Sequence, residues 1–527
     1  MTGNGLLPLC SADGHQFTPN GKVGNHFYSD KYTDASAGWV MTSSILIFFM
    51  KAGFLFVEDA FVSEPSQRRM VIITKYLDTC SSAIAFWLFG FAISIGLSPA
   101  VLGEDRDYIF WFFRFTFSSN TATIIGGTLI GERRKMKLLA VFIYAFMISS
   151  VVHPFVAHQL WSDSGLFSPL KFCNGTVEIV NGTLAIKHKL EQSPSSMFVL
   201  DFAGSGAVHL LGGMGGLLLT IFFKVEQWFE NCYKSDERIN KTMSTAGDQN
   251  LEIDLGEQPQ EPENFWNWMY NLGTEHIEYA ALGVLILWTT WFAFNCGSTE
   301  SISGGPGDKP GSFKIYHAIT GRIALNMVVC AGSGGLMAIV IASLVQLKTG
   351  TESINTNEIA NGILSCLVAV TGCCAFVTAW VSCGIGLIAV LFYHLGCFIE
   401  YKLNLKDTAR VVPVHVGSGM LGLLASAFAE DAFLREFYEN VCSCQELSLP
   451  HEGINTGLQL AHQLTGALFI VAWSIATIGP LFVLLSLTRS SILAKLLCRD
   501  RFSEDHWLYK LLGGGALLAV ASTSRGG

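Results

Sequence analysis

The stretch Asp201-Phe-Ala-Gly-Ser-Gly-Ala-Val-His209-Leu-Leu-Gly-Gly-Met214-Gly-Gly-Leu-Leu218 is one of two copies of a pattern in this chain. The second copy is Asp407-Thr-Ala-Arg-Val-Val-Pro-Val-His415-Val-Gly-Ser-Gly-Met420-Leu-Gly-Leu-Leu424. Each reads Asp, seven residues, His, four residues, Met, one residue, Gly-Leu-Leu. A repeat of this kind in apolar segments is typical of duplicated membrane proteins whose halves share a central site.

Composition supports a membrane protein. Half of the 527 residues are hydrophobic and 14% are charged, whereas soluble chains carry about a quarter charged residues. The net charge is −9, which argues against a nucleic-acid partner and against a basic surface. Large cytosolic enzymes and disordered regulators are also poor fits. The 14 cysteines lie mostly in apolar runs and act as small hydrophobes, so no metal or cofactor site is expected.

Apolar windows long enough to cross a bilayer recur eleven times and predict an all-α polytopic membrane protein. The soft boundary between the eighth and ninth windows, at Trp380, leaves ten or twelve spans open. The windows lie near 38–62, 76–97, 108–130, 138–160, 200–223, 276–297, 318–346, 358–379, 381–400, 412–429 and 457–487.

Orientation follows from the Lys and Arg residues between the windows, because cytoplasmic loops carry the excess. The loops on one side hold 15 of them and those on the other side hold 7. This predicts an extracellular tail over 1–37, a transmembrane domain over 38–487 with a cytoplasmic polar loop at 224–268, and a cytoplasmic tail over 488–527. The sequons at Asn174 and Asn181 then fall outside, as glycosylation requires. No cleaved signal peptide is expected, and the plasma membrane is the expected location.

The two copies of the repeat lie on the fifth and tenth windows. Because five is odd, the two halves must insert with opposite topology, which gives an inverted 5+5 repeat followed by a final helix. His209 and His415 should therefore meet near the pseudo-axis. Each could instead be a core residue bonded to a neighbouring helix, but the repeat favours a pair of neutral rings that offer one hydrogen-bond donor and one acceptor to a lumen.

The Asp201 segment resembles the signature of the Amt/Mep/Rh ammonium transporters, and is closer to the Amt branch. Other segments fall in the family's order over roughly 38–487, namely Met50-Lys-Ala-Gly-Phe-Leu-Phe-Val-Glu58, Ala85-Phe-Trp-Leu-Phe-Gly90, Phe117-Ser-Ser-Asn-Thr-Ala-Thr-Ile-Ile, Phe294-Asn-Cys-Gly-Ser298 and Val370-Thr-Gly-Cys373. The resemblance implies a homotrimer with one pore per subunit. The implied substrate is ammonium or ammonia, with methylammonium as a candidate analogue.

The resemblance also implies residue roles. Asp201 and Ser298 match the family's recruitment site for the cation, where Phe117 adds an aromatic face. Phe117 and Phe294 match the phenyl gate, and His209 with His415 match the twin histidines of the lumen. Without the resemblance, Asp201 reads as a helix cap. Asp407 reads as a helix-start or inner-mouth residue.

Two cations depart from the family pattern. Lys51 and Arg114 stand where the family usually carries Gln, and Glu58 is the expected partner of Lys51 because it lies two helical turns away. A vestibule aromatic on the fourth span is not evident, and Met147 lies near its expected place. Cys10, Cys173, Cys442 and Cys444 are candidates for disulfides whose pairing stays open.

Ammonium transport or channelling is the leading hypothesis. The alternative is a receptor of the same fold that binds ammonium and carries little flux. An intramembrane enzyme using the paired histidines is a poor third, because the chain lacks a Ser/His/Asp or metal constellation.

Overall fold

We analysed a computed structural model of the chain. It describes residues 34–62, 64–95, 107–129, 138–162, 164–169, 176–180, 183–187, 197–245, 264–271, 276–302, 312–351, 354–405, 407–441 and 455–487. The predicted glycosylation sites Asn174 and Asn181, the loop cysteines and the tail 488–527 lie outside these residues.

The fold is helical, and its elements run in two groups. The first group is α1 (Asp34–Asp59), α2 (Pro65–Ile95), α3 (Asp107–Gly127), α4 (Leu138–Trp161) and α5 (Leu211–Thr245, continuous with the π-helical turn Ser205–Leu210). A short hairpin of β1 (Thr176–Val180) and β2 (Thr183–Lys187) follows α4, with Thr176 opposite Lys187.

The second group begins with α6 (Phe265–Asn271), a short helix that precedes the spans. It continues with α7 (Ile277–Gly297), α8 (Ser312–Thr349), α9 (Thr356–Thr371), α10 (Ala379–Lys402) and α11 (Pro413–Phe428). The short helix α12 (Asp431–Val441) and the long helix α13 (Thr456–Leu487) complete the chain as far as it is described.

Within the described residues, eight helices are long and apolar enough to cross a membrane, and these are α1, α2, α4, α5, α7, α8, α10 and α13. The chain is therefore an integral membrane protein. Helices α3, α9 and α11 coincide with three further windows of the sequence, so the count of eleven spans stays a prediction.

Helices α5 and α11, which carry the two copies of the repeat, run antiparallel through the centre of the molecule. A Cβ on Gly206 would lie 3.2 Å from Leu423, and one on Gly213 would lie 2.7 Å from the Val416 nitrogen. As residue numbers rise along one helix they fall along the other, so Asp201 and Asp407 stand at opposite ends. This is the arrangement that the inverted repeat predicts.

The structure corrects two boundaries. The eighth and ninth windows are separated by a turn, because α9 ends at Thr371 and α10 begins after its N-cap Thr378. Trp380 lies inside α10 rather than between two spans. The first part of the predicted polar loop 224–268 is helical, since the helix α5 continues to Thr245.

Candidate functional site

Each copy of the repeat begins with a buried aspartate whose side chain caps the helix that carries the histidine. Asp201 Oδ2 accepts the N–H groups of Gly206 at 3.0 Å and Ala207 at 2.8 Å. At the opposite end, Asp407 Oδ2 accepts the Val412 N–H at 2.6 Å. A carboxylate that accepts such otherwise unpaired amides stabilises a helix start. The capping role and the site role of Asp201 are thus compatible.

Both histidines lie in π-helical turns, Ser205–Leu210 and Pro413–Gly417. Short π-helical turns are frequent at functional sites, because the extra residue per turn redirects a side chain. The Nδ1 atoms of His209 and His415 are 3.2 Å apart, and the rings are nearly parallel, at 11° with centroids 5.2 Å apart. The structure therefore brings the two rings together, and both are buried.

The wall beside the histidine pair is aromatic. The Trp291 indole stacks on His209 with centroids 5.0 Å apart, and its Nε1–H donates to Thr371 Oγ1 at 2.7 Å. The sequence interpretation missed Trp291, although it lies one helical turn before the quoted Phe294, which would have placed both on one face of α7. His209 Nε2 is buried and has no hydrogen-bond partner among the described residues, so it can bond a guest molecule.

The predicted phenyl gate forms between α3 and α7. The rings of Phe117 and Phe294 stack with centroids 4.3 Å apart and a 28° angle between their planes. Phe294 is fully buried and its ring centroid is 5.8 Å from that of His209. The stacked phenylalanine pair therefore lies directly beside the histidine pair.

On the other side of Phe117 lies Trp161, at the end of α4. The two rings meet edge to face with centroids 5.9 Å apart, and Trp161 Nε1–H donates to the Asp201 carbonyl at 2.7 Å. Trp161 thus places an aromatic ring of the fourth span beside Phe117 and Asp201, where the sequence interpretation had found none. Met147 is wrong for that place, because it is 37% exposed and lies more than three turns earlier on α4.

Ser298 lies directly after α7 and is half-buried. Its hydroxyl donates to the Phe294 carbonyl at 2.8 Å. With the hydroxyl proton used in that bond, the Ser298 oxygen presents its remaining lone pair as an acceptor, which is what an ammonium ion requires.

The intramembrane cation Lys51 has a different partner from the one expected. Lys51 does not pair with Glu58; its Nζ lies 3.3 Å from Asp78 Oδ1 and donates to the Ser119 carbonyl at 2.9 Å. Glu58 instead forms a buried ion pair with Lys75 of α2. Arg114 lies on α3, one turn before Phe117. The charges of Lys51 and Lys75 are thus each matched by a carboxylate.

Asp407, predicted as a helix-start or inner-mouth residue, is 3% exposed and lies close to Arg410, which is 2% exposed. Arg410 Nη1 donates to Glu400 Oε2 at 3.2 Å, and its guanidinium lies 4.0 Å from the ring centroid of Trp268 on α6. No sequence pattern had singled out Arg410 or Glu400.

Comparison with known proteins agrees with this geometry. Ammonium transporter Amt2 of Archaeoglobus fulgidus is 28% identical over 408 residues, covering 75% of this chain and 72% of the relative. Ammonium transporter 1 member 4 of Arabidopsis thaliana is 26% identical, covering 79% of this chain and 73% of the relative.

Solved structures share the fold. A sensor Amt protein matches with a TM-score of 0.59 and 22% identity over 86% of this chain and 94% of its own. Mep2 of Saccharomyces cerevisiae matches with a TM-score of 0.59 and 17% identity over 88% of each chain. The sequence profile of the Ammonium Transporter Family matches residues 38–246 and 257–495. Since this match covers most of the chain, including both histidine copies and the phenyl pair, the protein belongs to the Ammonium Transporter Family.

Proposed function

We propose that this membrane protein transports ammonium by recruiting the cation near Asp201 and Ser298, removing its proton, and passing ammonia along the His209 and His415 pair. The observation that carries this mechanism is the 3.2 Å contact between the two histidine nitrogens, directly behind the stacked phenyl pair. Family membership supports ammonium as the substrate.

Recruitment rests on three kinds of group. The Asp201 carboxylate supplies negative charge, the Ser298 oxygen accepts a hydrogen bond, and the faces of Phe117 and Trp161 attract a cation. A cation over an aromatic face gains about 2 kcal/mol when desolvated. These groups converge at the Asp201 end, because Trp161 links the Asp201 backbone to the Phe117 ring.

Selectivity follows from the gate. Ammonium and potassium are similar in size, so a narrow passage does not discriminate between them by size. Burying an unpaired cation in an apolar tube is prohibitive, but ammonium can give up its proton, which a separate water-assisted or His-assisted route would carry, and potassium has no proton to give. Neutral ammonia can then pass Phe117 and Phe294 and meet the free Nε2 of His209 as a hydrogen-bond partner.

The remaining features of the assembly are part of the proposal. We propose a homotrimer in the plasma membrane, with the 1–37 tail and the Asp201 end outside and the 488–527 tail inside. The Lys and Arg asymmetry of the loops supports this orientation. Asn174 and Asn181 would then be glycosylated, and Asp407 would lie at the cytoplasmic mouth.

A receptor of the same fold is the second candidate, favoured by the structural match to a sensor Amt protein. That match is below 25% identity and shows the fold alone. The presence of both histidines and both gate rings favours conduction, since a receptor needs neither.

The test uses the purified full-length protein in liposomes on a solid-supported membrane, with pulses of ammonium, methylammonium and potassium. A pH dye inside matched liposomes reports entry of neutral ammonia as alkalinisation. We expect a response to ammonium and none to potassium above protein-free liposomes. Ammonium binding without current or alkalinisation would favour the receptor, and an equal response to potassium would contradict the deprotonation filter.

A further inference from the structure

One of the differences between the two copies of the repeat falls at a left-handed backbone position of the shared turn. Three residues after each aspartate, the backbone adopts a left-handed conformation, at Gly204 with φ +103° and at Arg410 with φ +57°. Glycine adopts this conformation at little cost, whereas a residue with a side chain is strained there. The second copy therefore carries a large cation at a position where the first copy carries the residue best suited to the backbone.

Two neighbouring side chains contact the Arg410 guanidinium. Glu400 accepts from Nη1 at 3.2 Å, and Trp268 covers the guanidinium at 4.0 Å. Its Nε and Nη2 atoms are buried without a hydrogen-bond partner in the part of the chain that the structure describes. A buried charge with incomplete hydrogen bonding is costly, so the site is not explained by stability alone.

The consequence concerns the two aspartates. Asp201 is surrounded mainly by the backbone N–H groups of Gly204 to Ala207, whereas Arg410 is among the charged groups that act on Asp407. Each aspartate has one buried Oδ1 atom without a partner in the described residues. At Asp201 that oxygen can attract a cation. At Asp407 the Arg410 guanidinium, which is paired with Glu400, offsets part of the negative charge of the two carboxylates, so a cation is attracted there less than it would be without Arg410.

Position makes this repulsion relevant to transport. The Val414 N–H donates to the Arg410 carbonyl at 3.2 Å, which closes a helical turn, and His415 is the next residue. Five residues of helix rise about 7.5 Å. At that range, removing one positive charge from a poorly hydrated cluster changes the local concentration of a cation by on the order of tenfold or more.

We propose that Arg410 sets the sidedness of ammonium recruitment by making the Asp407 end a poor cation site. Ammonium is then captured from the Asp201 end at low concentration and released at the Asp407 end, and capture from the Asp407 end requires a higher concentration. This inference rests on the proposed transport function, which it extends by naming the residue that distinguishes the two mouths.

The experiment measures the half-saturating ammonium concentration separately from each face, in inside-out and outside-out patches of membranes that express the full-length protein. Arg410→Gly restores the residue of the first copy and relieves the left-handed strain, and Arg410→Gln removes the charge while keeping a long polar side chain. Arg410→Lys keeps the charge. Lys348→Ala is the matched control. Lys348 is an exposed cation that contacts Trp266, and Trp266 lies on α6, the helix that also carries Trp268.

We expect Arg410→Gly and Arg410→Gln to lower the half-saturating concentration on the Asp407 side by on the order of tenfold, with no change on the Asp201 side. Arg410→Lys and Lys348→Ala should keep the wild-type ratio of the two values. The ratio does not depend on how much protein reaches the membrane, so a poorly folding variant does not mimic the effect.

An unchanged ratio in both uncharged variants, with normal wild-type current, would overturn the role of Arg410 and leave the proposed transport intact. A similar ratio shift in Lys348→Ala would assign the effect to general surface charge and would also overturn it. Absence in the wild type of both ammonium current from either face and alkalinisation in the liposome assay would instead reject the transport function itself.

Discussion

Gly213 packs directly on the backbone of His415. A Cβ at Gly213 would lie 2.7 Å from the Val416 nitrogen and 2.9 Å from the His415 carbonyl carbon, both backbone atoms that cannot move aside singly. Gly213→Ala should therefore push α5 away from α11 and separate the two imidazoles. We expect ammonium flux per folded molecule to fall by at least about tenfold, because misplacing reacting groups by about 1 Å costs on the order of a hundredfold in related situations.

Gly332→Ala is the control for that change. Gly332 lies within α8, and a Cβ there meets nothing within 4 Å. Because alanine favours helix by about 1 kcal/mol over glycine, this variant should be at least as stable as the wild type and should transport normally. Normal flux in Gly213→Ala would show that the close approach of the two helices is not needed.

The Lys51 and Asp78 pair should matter for stability rather than for flux. Both side chains are largely buried and they bond each other and the α3 residue Thr123. Removing one partner leaves an uncompensated buried charge, which costs about 3–5 kcal/mol. We expect Lys51→Gln and Asp78→Asn each to lower the thermal unfolding temperature in detergent clearly.

The double variant Lys51→Gln with Asp78→Asn should recover most of that loss, since no buried charge remains unpaired. Lys348→Met removes an exposed cation and should leave the unfolding temperature unchanged. If the double variant were as unstable as the sum of the two single variants, the two residues would not be acting as a pair.

Ser298 should contribute to capture of the cation. Its hydroxyl proton is used by the Phe294 carbonyl, so its oxygen is left to accept from ammonium. A hydrogen bond to a charged group contributes about 1.5–3 kcal/mol. Ser298→Ala should thus raise the half-saturating ammonium concentration from the Asp201 side by roughly tenfold or more, with a smaller effect on the maximal rate.

The matched control for Ser298 is Ser343→Ala. Ser343 makes the same kind of bond, to the Ile339 carbonyl at 2.8 Å, but lies on α8 outside the described site. Concentration dependence measured on a solid-supported membrane should separate the two variants. Equal curves for both would show that the Ser298 oxygen does not bind the cation.

The sequence predicted the parts of the site that the repeat encodes. Asp201, His209 and their counterparts stand at a spacing that fixes their place on antiparallel helices, so the pairing of the two rings follows from the pattern. The sequence did not identify the partner of Lys51. Glu58 shares a helix face with Lys51, but two turns separate them by about 10.5 Å along the axis. The true partner, Asp78, comes from a neighbouring helix.

Two further features were not readable from the sequence, for definite structural reasons. Helix α4 contains a π-helical turn at Ile148–Val152, which adds a residue and shifts every later side chain around the axis. Trp161 follows this turn at the end of α4, and its place at the site rests on contacts with Asp201 and Phe117, which counting along α4 alone does not reveal. The left-handed backbone at Arg410 has no sequence signal, because arginine is not a residue that predicts it.

The most direct test is the selective ammonium response of liposomes containing His209→Ala, compared with wild type at equal amounts of folded, monodisperse protein. The wild type is expected to respond to ammonium and not to potassium. Because the two imidazoles form one unit, we expect His209→Ala and His415→Ala each to abolish this selective response. A wild-type ammonium response with potassium still excluded, in either variant, would contradict the central role of the His209 and His415 pair.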